Sequence, residues 1–67
     1  MNAYMIALDE PYYGFAGVWV VAAKSDKEAE DFIIKEFKVK SSLIINLGIL
    51  SNVTVNPDIT EPTLLSE

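Results

Sequence analysis

The chain has 67 residues, with ten acids and five lysines, and its net charge is −5. It contains no cysteine, histidine or arginine, which excludes disulfide scaffolds, Cys/His zinc sites, thiol or histidine catalysis, and bidentate arginine contacts to phosphate or guanine. An apolar share of 51% is too high for intrinsic disorder, and the length suits one small domain.

Two apolar runs near the N-terminus predict a pair of strands. Residues 3–8 end at the turn signal 9–11, and residues 18–23 are rich in β-branched and aromatic types. Strands that follow one another along the chain are usually neighbours, so we expect a hairpin. Both faces of each run are apolar, whereas a sheet with one solvated face alternates between apolar and polar residues.

A helix is predicted to start at Ser25, which forms a capping box with Glu28. The residues that follow place their apolar side chains at helical spacing, which gives one stripe that can face a sheet. This stripe consists of Ala29, Phe32, Ile33 and Phe37.

The part of the chain after the helix allows two interpretations. Residues 43–47 fit a short second helix ended by Gly48, or a buried strand, and the glycine favours the helix. Alternation up to Pro57 predicts a third strand over about 49–56. Residues 57–67 read as an extended acidic tail that follows a single ββα(α)β domain over 1–56.

These elements predict an α+β fold, in which a three-stranded antiparallel sheet carries one amphipathic helix on one face. The order is ββαβ, with the short second helix as a variant. One helix leaves the other apolar face of the sheet bare, and such patches usually mark interfaces. We therefore expect a homodimer that packs through that face or through a strand edge.

Aromatic and acidic residues outside the helix are the candidates for contact with a partner. The aromatics surround a glycine-containing connection, and such side chains are common interface anchors, although Phe15 and Trp19 could equally fill the core. The acids carry the whole excess of negative charge together with Glu67. The predicted partner-binding residues are Tyr12, Tyr13, Phe15, Asp9, Glu10, Asp58 and Glu61.

No arrangement of residues predicts catalysis or a cofactor. The carboxylates lack the spacing of a calcium loop, and nothing meets the pattern of nucleophile, base and orienting group. The negative charge disfavours direct contact with nucleic acid or an anionic membrane. The charge-free stretch 41–57 is too polar to span a bilayer, and no signal peptide is evident, so we expect a cytoplasmic protein.

The sequence thus favours a small non-enzymatic protein–protein interaction module. In this hypothesis a homodimer presents the aromatic, acidic loop and the acidic tail to another protein, which a basic surface would suit. The alternative is an acidic inhibitor of the phage or mobile-element type that blocks a basic nucleic-acid-binding site on a host enzyme.

Overall fold

A computed structural model describes residues 1–9 and 17–66 of the chain. The elements are β1 (Asn2–Leu8), β2 (Val18–Ala23), α1 (Asp26–Phe37), a 3-10 turn (Ser41–Leu43), β3 (Ile44–Ile49) and β4 (Thr63–Ser66). The strands form one antiparallel sheet in the order β3-β1-β2-β4, and α1 packs on one of its faces. The predicted α+β class is confirmed, but the sheet has four strands where three were expected.

The predicted pairing of the first two strands is confirmed. β1 and β2 lie antiparallel, with Met5 opposite Val20 and Ile6 opposite Trp19. Because directly opposed residues point to the same side of a sheet, this register assigns every residue of the pair to one of two faces.

The capping box at the start of α1 is present in the structure. Ser25 Oγ accepts a hydrogen bond from the Glu28 N–H at 3.2 Å, and Glu28 Oε1 accepts one from the Lys24 N–H at 3.0 Å. Two backbone donors at the helix start are thereby satisfied, which explains why the helix begins where the sequence predicts.

The helix ends at a residue with left-handed backbone geometry. Lys38 has φ 55° and ψ 39°, a conformation that usually selects glycine. The resulting change of direction is followed at once by Val39, which is buried in the core. The unfavourable backbone conformation of Lys38 thus lies at the turn that directs Val39 into the core.

The core lies between α1 and one face of the sheet. Trp19 is fully buried and stacks on Phe37 of the helix, with ring centroids 5.0 Å apart. Ala29 and Ile33 are buried, and Phe32 and Phe37 pack at the edge, so the predicted helix stripe faces the core. The buried cluster comprises Tyr4, Ile6, Leu8, Trp19, Val21, Ala23, Ala29, Ile33 and Val39.

For residues 41–56 the favoured prediction is wrong, whereas the strand given as the alternative for residues 43–47 is present. Residues 41–43 form only a 3-10 turn, and the strand lies at 44–49, where a short helix had been favoured. The segment predicted as a strand contains a turn closed by a hydrogen bond from Val53 N–H to Leu50 O, and a second turn, closed from Ile59 N–H to Asn56 O, follows at its end. The alternating residues 53–56 lie between these turns and belong to no strand of the sheet.

Part of the expected C-terminal tail belongs to the sheet. Residues Thr63–Ser66 form β4, which pairs with β2 and places Thr63 opposite Ala22. Leu64 lies opposite Val21 and packs against the core. β3 and β4 occupy opposite edges of the sheet, so residues 50–62 connect one edge to the other.

Candidate interaction surface

The two faces of the sheet differ in what covers them. The inner face carries Tyr4, Ile6 and Leu8 of β1, all buried under α1. The opposite face, called the outer face below, carries Ala7 and Met5 of β1, which are only half-buried. A candidate contact surface is therefore sought on the outer face.

A row of large apolar side chains crosses the outer face from edge to edge. At its centre Met5 lies opposite Val20, and both are half-buried. At the two ends Leu47 and Leu65 are the extra, unpaired residues of β-bulges in β3 and β4. Asn46 and Leu64, which directly precede them, pair with the inner-face residues Ile6 and Val21, so both leucines follow on the outer side, and both are exposed.

A second row lies beside the first, towards the end of the sheet where β1 finishes. Ile45 is opposite Ala7, which in turn is opposite Val18. Ile45 and Val18 are exposed, while Ala7 is half-buried between them. Both rows are free of charged side chains, and the exposed Ser66, opposite Val20, is their polar residue.

The other end of the outer face is buried. Ala3 and Ala22 lie opposite each other there and have almost no exposed surface. Residues 50–62 pass from edge to edge at this end, because Leu50 N–H donates to Ala3 O at 2.8 Å and Thr63 pairs with Ala22. Among residues 1–9 and 17–66, the exposed apolar surface of the outer face is thus limited to the rows of Met5 and Ala7.

Asn46 fixes the bulge that presents Leu47. Its side-chain Nδ2 donates to Asp26 Oδ1 and to Glu30 Oε2 of α1, both at 3.0 Å, and so ties β3 to the helix. Its Oδ1 accepts the Gly48 N–H at 2.8 Å, and Gly48 has φ 96°, a conformation that L side chains rarely adopt. The asparagine and the glycine together hold the irregular backbone in place.

The acidic residues that were predicted to bind a partner do not form one cluster where the structure describes them. Asp9 is exposed and follows β1, next to Leu43, whose carbonyl accepts its N–H. Asp58 and Glu61 are exposed on the segment before β4, which begins opposite Ala22 at the far end of β2. About six residues of strand, or roughly 20 Å, separate the two groups, which rules out a shared cation site.

The remaining predicted contact residues lie outside the described part of the chain. Glu10, Tyr12, Tyr13 and Phe15 all belong to residues 10–16, so their assignment stays a prediction. Trp19, weighed above as either core or contact, is part of the core.

An open groove of about 570 Å³ runs along the solvent side of α1. Phe32 and Pro62 line it together with both acidic and basic side chains, among them Glu28, Glu61 and Lys35. Among residues 1–9 and 17–66, no three acidic side chains converge as a metal site would require. Within the same ranges no helix has the length and apolar character needed to cross a bilayer.

The exposed leucines of the outer face were missed in the sequence analysis. Leu47 had been placed in a short helix and Leu65 in a tail, so neither could be assigned to a sheet face. For Leu47 the available signal was the charge-free stretch 41–57, since a buried or contact-forming strand avoids charge more strictly than a surface helix does.

No protein-family model, no curated protein sequence and no solved structure matches this chain.

Proposed function

We propose that this protein is a small non-enzymatic interaction module that binds another protein surface through the outer face of its sheet. The observation that carries the proposal is the uncharged row from Leu47 through Met5 and Val20 to Leu65. It leaves Leu47 and Leu65 exposed and Met5 and Val20 half-buried on a single face of the sheet.

Physical arguments support contact at this surface. Burial of apolar area contributes about 25 cal/mol per Å², so covering the row releases free energy that the isolated chain does not gain. Contiguous exposed apolar surface on small proteins commonly marks an interface. Asn46 holds the bulge under Leu47 through hydrogen bonds to the helix, so the side chain is presented from a defined backbone.

The acidic residues supply a second, electrostatic contribution in this proposal. Asp9 lies at one end of the sheet, and Asp58 and Glu61 lie at the other, all exposed. They lie outside the two apolar rows, and Glu61 borders the groove beside α1, on the helix side of the sheet. A basic protein would suit these acids as a contact separate from the outer face, and they would affect its association rate more than its affinity.

Site-specific photo-crosslinking in the cells that make the protein tests the proposal. A photo-reactive amino acid replaces either Ile45 on the outer face or Ile49, which lies opposite Tyr4 on the same strand. Both isoleucines are exposed, so the two variants are matched in residue type, strand and accessibility. We expect discrete covalent adducts from position 45 and only diffuse, weak labelling from position 49.

The masses of the adducts identify what occupies the face. An adduct of twice the 7.4 kDa chain mass indicates a second copy, and any other discrete mass indicates a different protein. Equal labelling from both positions, or no discrete adduct from position 45, would contradict the proposal.

A further inference from the structure

We infer that the occupant of the outer face is a second copy of this chain, packed face to face about a two-fold axis. This inference rests on the proposed function and specifies its partner. The resulting dimer has four layers, with a helix outside each of two packed sheets. Three separate features of the structure support it.

The first feature is the state of the sheet edges. Both outer strands carry a bulge, at Leu47 in β3 and at Leu65 in β4. Bulges interrupt the row of backbone donors and acceptors that an added strand would pair with, and natural proteins use them to blunt edges. Edge-to-edge joining of two sheets is therefore disfavoured, and the face remains as the surface for association.

The second feature is the distribution of charge. Each chain carries a net charge of −5, so repulsion disfavours contact between two copies through acidic surfaces and leaves surfaces without acids as the favourable ones. The helix lies on the inner side of the sheet, and the exposed rows of the outer face contain no charged residue. Face-to-face packing places both helices on the outside of the dimer, with their acids Asp26, Glu28, Glu30, Asp31 and Glu36.

The third feature is the alternation of large and small side chains along β1. Met5 is a large side chain of the outer face, and Ala7, two residues further along the same face, is a small one, whose size implies a depression between Ile45 and Val18. The two positions are about 7 Å apart. A two-fold axis between them seats Met5 of each copy over Ala7 of the other, which makes the surface complementary to itself.

Light scattering on the purified protein over a concentration series tests the inference. We expect the wild-type mass to approach twice 7.4 kDa at high concentration. In a dimer of Leu47→Lys each copy places one lysine charge in the apolar contact, and we expect this to weaken self-association at least tenfold. Ile49→Lys is the matched control, because Ile49 lies on the same strand with 54% exposure against 55% for Leu47 but on the inner side. We expect its association to match that of the wild type.

A second variant tests the shape argument without adding charge. Ala7→Leu fills the depression, and we expect it to weaken self-association at least tenfold. Its side chain points away from the core, so the unfolding transition measured on dilute, monomeric protein should stay close to that of the wild type.

Each outcome decides for or against the second copy. A wild-type protein that stays at 7.4 kDa overturns the inference, and so does a dimer equally weakened by Leu47→Lys and Ile49→Lys. A dimer that tolerates both lysines is joined elsewhere and also overturns it. The proposed function is judged separately, because a monomer that still gives a discrete adduct of another mass from position 45 retains an outer-face partner.

Discussion

Val20 and Val21 are neighbours on β2, yet they lie on opposite faces of the sheet and in different surroundings. Val21 is fully buried under α1, whereas Val20 is half-buried in the row that crosses the outer face. Apolar residues on the two faces of one strand can therefore have different structural roles. Helix packing accounts for the inner face, and the contact proposed above would account for the outer one.

The largest effect is expected where the inner face is most fully buried. Trp19→Ala removes the ring that stacks on Phe37, and we expect it to cost about 3–5 kcal/mol of the free energy of unfolding. This is a large share of the stability of a domain of this size, so the variant should be largely unfolded. Circular dichroism during urea titration measures the loss. A variant that keeps wild-type stability would show that the core lies elsewhere.

The two valines give a matched test of the faces. Val21→Ala should destabilise the protein by about 2 kcal/mol, because it leaves a cavity in the core. Val20→Ala, measured on dilute protein, should cost less than about 1 kcal/mol, because Val20 still contacts solvent in the single chain. Urea titrations of both variants at the same low protein concentration make the comparison. Equal losses would remove the distinction between the faces.

Asn46 connects the two faces, since it bonds to α1 on the inner side and supports the bulge that presents Leu47. Asn46→Ala should cost about 1–2 kcal/mol, because three hydrogen bonds are lost at a partly exposed site. Asn52→Ala, at an exposed turn, is the control and should change stability little. Urea titration of the two variants beside the wild type measures both losses, and equal losses would contradict the role given to Asn46.

An acidic substitution at the same position makes the test depend on pH. In Asn46→Asp the introduced carboxylate faces the carboxylates of Asp26 and Glu30, and repulsion between like charges is expected to raise the pKa of the introduced carboxyl above its value in the unfolded chain. Because the pKa is raised in the folded state, the loss of unfolding free energy caused by the introduced carboxylate is complete near neutral pH. This loss declines as the carboxyl becomes protonated. The difference in the free energy of unfolding between Asn46→Asp and Asn46→Ala should therefore decrease as pH falls towards about 4. Urea titrations of both variants at a series of pH values measure this difference. A gap that widened on acidification would contradict this placement of the side chains.

The smallest expected effect is a gain. Lys38 has a left-handed backbone, and Lys38→Gly removes the steric cost of its Cβ there. We expect the free energy of unfolding to rise by up to about 1 kcal/mol, less the entropy that glycine adds to the unfolded chain. Thermal unfolding of the variant and the wild type measures the shift. A clear destabilisation would show that the lysine side chain has a packing role that outweighs the strain.

The parts of the fold that the sequence predicts are those with a local cause. The capping box at Ser25 sets the helix start, and the apolar runs of β1 and β2 lie next to each other along the chain. Gly48 gave an ambiguous local signal, because a helix end and a bulge both call for positive φ. β4 had no sufficient local signal, since its pairing with β2 joins residues about forty positions apart, such as Ala22 and Thr63.

The candidate surface was predicted in outline and missed in detail. Apolar residues on both sides of β1 and β2 indicated that a bare face would exist, and the structure places Met5, Ala7, Val18 and Val20 on it. The edge residues Leu47 and Leu65 depend on where β3 and β4 pair and on the register shift at each bulge. Neither the pairing positions nor the register shifts can be predicted from hydrophobic patterning, because one extra residue moves a side chain to the other face.

The measurement that tests the central claim most directly is the thermal unfolding midpoint of the wild type and of Leu47→Lys over a hundredfold range of protein concentration. Contact between copies stabilises the folded state by mass action, so the wild-type midpoint should rise with concentration. The Leu47→Lys midpoint should stay constant and meet the wild-type value at the dilute end, because Leu47 serves contact and not the fold. Midpoints that are independent of concentration in both proteins, or a variant equally destabilised at every concentration, would contradict the account.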